Sequence, residues 1–104
     1  MSNIVDQIKQ DIADNKILLF VKGEKNAPQC GFSATVMNIF NELGVDYATR
    51  DVLASPELRK SLKEFSNWPT FPQVYINGKF VGGCDITVEM HKNGELSEIL
   101  KSMC

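Results

Sequence analysis

Residues 73–83 read Gln-Val-Tyr-Ile-Asn-Gly-Lys-Phe-Val-Gly-Gly, two β-prone runs joined by Asn77-Gly78. Asn-Gly between such runs is the strongest short-range hairpin signal, because a two-residue hairpin turn needs positive φ at both central positions. Working outward, Asn67-Trp68-Pro69-Thr70-Phe71-Pro72 is a proline-punctuated approach. Before it, Ser55-Pro56-Glu57 supplies an N-cap, a proline at the first helical position and an acid in the first turn, with Leu58, Leu62 and Phe65 as the buried face. Tyr47 to Val52 alternates as a strand. Val36, Phe40 and Leu43 form an i, i+4, i+7 stripe stopped by Gly44, and Ile17-Leu18-Leu19-Phe20-Val21 has the length of a strand buried on both faces. Ile4, Val5, Ile8 and Ile12 recur at helical spacing. After the hairpin, Asp85 is expected to cap a last helical stretch that pauses at Asn93-Gly94 and resumes through Leu96, Ile99, Leu100 and Met103. The order helix, strand, helix, strand, helix, hairpin, helix predicts an α/β sandwich in which helices cover both faces of a sheet, the hairpin forming an antiparallel edge.

The 104 residues suit one domain, 1–104, with no linker, repeat or low-complexity segment. The longest apolar run, five residues, falls far short of a membrane helix. Eleven basic against thirteen acidic residues give a net charge of −2, which offers no footprint for nucleic acid or an anionic membrane. Met1 to Asp6 has neither the basic stretch nor the apolar block of a secretory signal. The expectation is a cytoplasmic protein, or one of an organelle matrix if a targeting peptide was removed. Three cysteines, Cys30, Cys84 and Cys104, are too few and odd in number for a disulfide framework, so a reducing compartment and a working thiol fit better.

Cys30-Gly31-Phe32-Ser33 opens a helix directly after a buried strand and the polar loop Lys22 to Gln29. Unpaired N–H groups at a helix start stabilise an anion, and Lys22 can add its charge, so a thiol there ionises below the free value of about 8.5 and becomes a nucleophile or metal ligand. A buried core cysteine is the plain alternative, but Cys30 lies in a polar loop, off the apolar stripe. His91, the one histidine, has no companion at metal-ligand spacing and is expected to be exposed or capping. Cys104 ends the chain and is expected to be frayed and incidental.

Cys30-Gly31-Phe32-Ser33, Trp68-Pro69-Thr70-Phe71-Pro72-Gln73-Val74-Tyr75 and Gly82-Gly83-Cys84-Asp85 together resemble the monothiol glutaredoxins of the CGFS class, in the same order over nearly the whole chain. The resemblance implies a thioredoxin-like three-layer sandwich with a central four-stranded mixed sheet. It also implies a glutathione site: Lys22 and Arg59 for the glycine carboxylate, the Phe71 backbone ahead of a cis Pro72 for the cysteinyl unit, and Cys84 with Asp85 for the γ-glutamyl end. Without the motif context Lys22 and Arg59 read as solvated charges, Phe71 as a core aromatic and Asp85 as an N-cap. Trp68-Pro69 is expected to shape the turn rather than touch ligand. Ser33 has no thiol to resolve a mixed disulfide, so a Cys-x-x-Cys cycle is closed to this chain.

Two functions follow from one thiol. In the first, the resemblance implies that Cys30 of two chains and two glutathiones hold a 2Fe-2S cluster bridging a homodimer, for iron–sulfur assembly, storage or transfer to acceptor proteins, with BolA-type partners in some members. In the second, Cys30 removes glutathione from glutathionylated proteins as a weak oxidoreductase. A redox sensor pairing Cys30 with Cys84 is a further alternative.

Overall fold

The computed structural model describes residues 3–102; Cys104 and Met103 lie outside the described residues. Helix α1 (Ile4–Asp14) begins where the Asn3 side chain accepts a hydrogen bond from the Asp6 amide at 2.9 Å. Strand β1 (Ile17–Val21) follows, buried at every position. A two-rung hairpin, β2 (Gly23–Glu24) and β3 (Ala27–Pro28), then precedes α2 (Gly31–Leu43). Gly44, at φ 69°, ends α2 in the left-handed conformation that glycine adopts without steric cost. Next come β4 (Ala48–Asp51), α3 (Pro56–Ser66), β5 (Gln73–Ile76), β6 (Lys79–Gly82), α4 (Cys84–Lys92) and α5 (Glu95–Ser102). At the start of α3, Ser55 Oγ accepts from the Leu58 amide at 3.2 Å and Pro56 holds the first helical position, as its sequence predicts.

The main sheet runs β4-β1-β5-β6. β1 pairs in parallel with β4 and antiparallel with β5, while β5 and β6 pair as the antiparallel edge hairpin. This is the mixed four-stranded sheet flanked by helices that the sequence predicts. Because side chains alternate along β1, Leu18 and Phe20 join a core with Ile8, Ile12, Leu62 and Tyr75 under α1 and α3. Ile17, Leu19 and Val21 join the opposite core with Val36, Met37, Phe40, Leu96 and Leu100 under α2 and α5. The all-apolar run of β1 is thus explained by burial on both faces. Among the described residues no helix is long and apolar enough to cross a membrane.

Three expectations need correction, and a fourth is met. The loop Lys22 to Gln29 holds the β2–β3 hairpin, where Asn26 supplies positive φ (63°) at the turn. Phe65 is exposed, because it lies at the rim of α3 while Leu62 turns inward. The pause expected at Asn93-Gly94 is present: the chain breaks there into α4 and α5, with Gly94 at φ 84°. Asp85 is not the N-cap of α4; Gly83 holds that position, and Asp85 is an exposed residue in the first turn.

Tyr75 gives the core a pH signature. Burial pushes its hydroxyl up to about 12 from an ordinary 10, a hydrogen bond at Ser66 opposing. The unfolded chain loses this proton first, so the contribution is complete below pH 10 and fades as pH rises toward 12. The expected cost is on the order of 2–3 kcal/mol. Denaturant titrations from pH 9 to 12 should show a steeper loss of stability in the wild type than in Tyr75→Phe; parallel curves would remove Tyr75 as the cause.

Candidate functional site

The carboxyl end of β1 and the amino ends of α2 and α4 meet around one cavity of about 700 Å³. Lys22, Cys30, Arg59, Phe71, Cys84 and Asp85, named from four separate stretches of sequence, all line it.

Cys30 is the N-cap of α2, with extended backbone (φ −149°, ψ 138°) and no side-chain capping bond of its own. Its thiol is therefore free to take the anionic role that the first-turn amides favour. The thiol is held below its ordinary value chiefly by the Ser33 backbone amide, helped by the Phe32 amide, the Lys22 charge and the Ser33 hydroxyl, against a partial penalty from burial. Ser33 is fully buried, and its Oγ also accepts from the Lys22 amide at 3.1 Å. One hydroxyl thus joins the residue that supplies positive charge to the helix turn that carries the thiol.

Cys84 behaves oppositely. It opens α4, yet burial, reinforced by the negative charges of Asp85 and Cys30, pushes its thiol up. Two cysteines in one cavity therefore divide into a nucleophile or ligand and a thiol that keeps its proton. Both are free thiols.

The charges around the cavity are unequal: Lys22, Arg59 and Lys63 against Asp85 alone. Asp85 sits in the first turn of α4, where the helix amides can also donate to a carboxylate. The cavity therefore offers cations for one carboxylate and a helix start with an acid for an amino-acid head group. The Phe71–Pro72 peptide is cis, as the resemblance implied. Phe71 is at once core aromatic and cavity wall, 6% exposed and packed in the α1–α3 core.

Sequence reasoning gave no role to Phe32, Lys63 or Ile86, which also line the cavity, and expected Trp68 only to shape the turn, although it lines the cavity too. Phe32 is 62% exposed, beside the thiol. Helical spacing misleads here: Phe32 stands four residues before Val36, on the Val36–Phe40 stripe, and would be read as buried, yet in the first turn of α2 it lines the cavity instead. Trp68 stacks edge-on against Phe80 at 5.6 Å and backs Gly83, where a Cβ would lie 3.1 Å from the indole nitrogen. It both shapes the turn and walls the cavity. His91 meets Glu42 at 3.4 Å, and among the described residues no group of three or more His, Cys, Asp or Glu could hold a metal ion within one chain.

Comparison with known proteins agrees with this geometry. The glutaredoxin family profile matches residues 17–81. A monothiol glutaredoxin of Synechocystis sp. is 55% identical over 95 residues, 91% of this chain and 89% of that protein. Glutaredoxin 4 of Escherichia coli is 44% identical over 101 residues, 97% and 88% of the two chains. Among solved structures, reduced apo GrxS14 of poplar has 47% identity and a TM-score of 0.84, covering 97% of this chain and 94% of its own. A buckwheat glutaredoxin–glutathione complex has 27% identity and a TM-score of 0.85, covering 95% and 88%. With a lone helix-capping cysteine where a serine occupies the fourth motif position, and with these relatives, the chain belongs to the glutaredoxin family as a monothiol member.

Proposed function

We propose that the cavity binds glutathione and that Cys30, with a second copy of the chain, carries a 2Fe-2S cluster for iron–sulfur assembly, storage or transfer to acceptor proteins. The observation that carries this reading is the lone activated thiol of Cys30 in a cavity whose charges suit both ends of glutathione. The tripeptide has two carboxylates and one ammonium. Lys22 and Arg59 pair with the glycine carboxylate, the Arg as a two-pronged donor. The amides that open α4 take the γ-glutamyl carboxylate, and Asp85 takes its ammonium.

The donor set fits a shared cluster. Two irons need four thiolates, and Cys84, kept protonated by burial, is a poor second donor within the chain. Cys30 from each of two chains and the thiol of one glutathione on each complete the count. When bound, the cluster supplies transferable iron and sulfide. The chain's part is to keep Cys30 ionised, hold glutathione beside it, and present both at the open rim next to exposed Phe32. A homodimer of this kind forms only with the cluster between its halves, and a reducing compartment such as the cytoplasm suits it; BolA-type proteins are candidate partners at the same rim.

The lowered Cys30 thiol also favours a second reading as a glutathione-dependent oxidoreductase. Cys30 thiolate attacks the glutathionyl sulfur of a mixed disulfide and releases the protein thiolate. A second glutathione thiolate then attacks the Cys30 adduct, giving glutathione disulfide and restoring Cys30. Anaerobic purification with glutathione separates the two. A brown dimer that becomes a colourless monomer on cluster removal supports the carrier; a colourless monomer with rapid deglutathionylation supports the enzyme.

Lys22→Ala and Arg59→Ala should each weaken glutathione binding by about 10- to 150-fold, since a charge-assisted hydrogen bond contributes about 1.5–3 kcal/mol. Calorimetry checks this. Unchanged affinity in both variants would mean that the carboxylate sits elsewhere.

A further inference from the structure

The β2–β3 hairpin links the two ends of the cavity's thiol segment. Lys22 stands at the foot of one leg and Cys30 one residue past the foot of the other, where the Gln29 amide donates to the Lys22 carbonyl at 2.8 Å. Above this closure lie the pairs Gly23–Pro28 and Glu24–Ala27. Two rungs are too few to hold a hairpin by themselves.

The tip is held instead by groups outside the cavity wall. Lys25 Nζ donates to the Tyr47 carbonyl at 2.7 Å and lies 4.3 Å from the centre of the Tyr47 ring. Next to it, Asn26 Oδ1 accepts from Asn41 Nδ2 at 3.0 Å, and Asn41 Oδ1 accepts the Tyr47 hydroxyl at 2.7 Å. Lys25, Asn26, Asn41 and Tyr47 thus close a ring of interactions between the hairpin tip, the last turn of α2 and the segment entering β4. Tyr47 anchors it: the side chain is buried and packs on Phe40 with ring centres 5.9 Å apart. A simple surface tether would not need a buried tyrosine and a carboxamide satisfied on both its atoms.

We propose that Lys25, Asn26, Asn41 and Tyr47 form a clamp that keeps the hairpin closed and so fixes Lys22 relative to Cys30, making them positioning residues for the thiol pocket. This rests on the glutathione reading for its ligand but not for its mechanism. Opening the tip unzips two rungs, frees the Lys22–Gln29 pair and lets the cation drift from the carboxylate it is meant to hold. None of the four lines the cavity, so their effect reaches ligand only through the hairpin.

The test compares Asn41→Ala, Tyr47→Phe and the double variant Asn41→Ala/Asn26→Gly with Asn3→Ala, which removes the α1 cap. Glutathione affinity by calorimetry should fall about tenfold in Asn41→Ala, the low end of what losing an outer-shell support costs. Asn41→Ala/Asn26→Gly should be no worse than Asn41→Ala, because the one clamp contact of the Asn26 side chain is already lost in Asn41→Ala and glycine keeps the positive φ of the turn. Hydrogen exchange at the Gln29 and Gly23 amides should quicken in the clamp variants and stay unchanged in Asn3→Ala. If the clamp variants lose thermal stability while glutathione affinity stays at the wild-type value, the four residues are structural only and the proposal fails. If wild-type protein does not bind glutathione, the pocket reading falls instead, and Gln29 exchange alone decides the clamp: unchanged exchange overturns it, faster exchange upholds it.

Discussion

Cys30→Ser should yield a colourless protein under conditions where wild type reconstituted with iron, sulfide and glutathione is brown, whereas Cys84→Ser should keep most of the visible absorbance. A serine hydroxyl stays protonated at neutral pH and is a poor iron ligand beside a thiolate, so the loss should be complete. The contrast between the two cysteines follows from their surroundings. Cys30 caps a helix whose Ser33 and Phe32 amides favour the anion, while Cys84 is pushed toward the neutral thiol by burial and by the charges of Asp85 and Cys30. The competing arrangement, four cysteines from two chains with no glutathione, has the same ligand count but the opposite dependence. It requires that Cys84→Ser bleach the protein and that dithiothreitol replace glutathione in reconstitution. In the glutathione arrangement dithiothreitol alone gives poor yield, and the apo protein is monomeric at concentrations where the loaded protein is dimeric. Loss of colour in Cys84→Ser with glutathione binding intact would establish the four-cysteine form.

The parts of this fold that were legible in the sequence are those with a single physical cause. An all-apolar pentapeptide must be buried on both faces, Asn77-Gly78 must turn, and Ser55-Pro56-Glu57 must start a helix. Cys30 was legible for the same reason, since a cysteine between a polar loop and a helical stripe has little to do but cap. The β2–β3 hairpin was not, because its two-residue strands carry no periodicity and are held by tertiary contacts to Asp51, Tyr47 and Asn41. Asp85 was misread as the N-cap because an aspartate near a helix start usually holds that place, whereas here Gly83 holds it, with Trp68 and the Pro72 carbonyl close against its Cα. The remote members of the cavity wall, Lys63, Trp68 and Ile86, are brought in by packing between elements, and pattern within one element does not report that.

Gly23→Ala should be far more damaging than Gly78→Ala, although both glycines have positive φ, 106° and 81°. At Gly78, in the exposed β5–β6 turn, a new Cβ meets nothing within 4 Å, so the cost is conformational alone, about 1 kcal/mol. At Gly23 the Cβ would lie 2.6 Å from the Ala27 carbonyl oxygen and 2.7 Å from the Gln29 nitrogen, both backbone atoms of the facing leg. Neither can swing aside as a side chain would, so the hairpin must spread. Spreading breaks the Gln29–Lys22 hydrogen bond and strains the one from the Gly23 amide to Asp51 Oδ1, 2.9 Å long. The combined strain and overpacking cost is on the order of 2–4 kcal/mol. Because the spread legs end at Lys22 and next to Cys30, the loss should extend to function: Gly23→Ala loses glutathione affinity in its folded fraction, and Gly78→Ala retains it. Chemical denaturation gives the stability difference, and calorimetry well below the melting temperature gives the affinity. Equal destabilisation by the two substitutions would show that the hairpin yields without strain, and full glutathione affinity in Gly23→Ala would show that the pocket does not depend on how the hairpin closes.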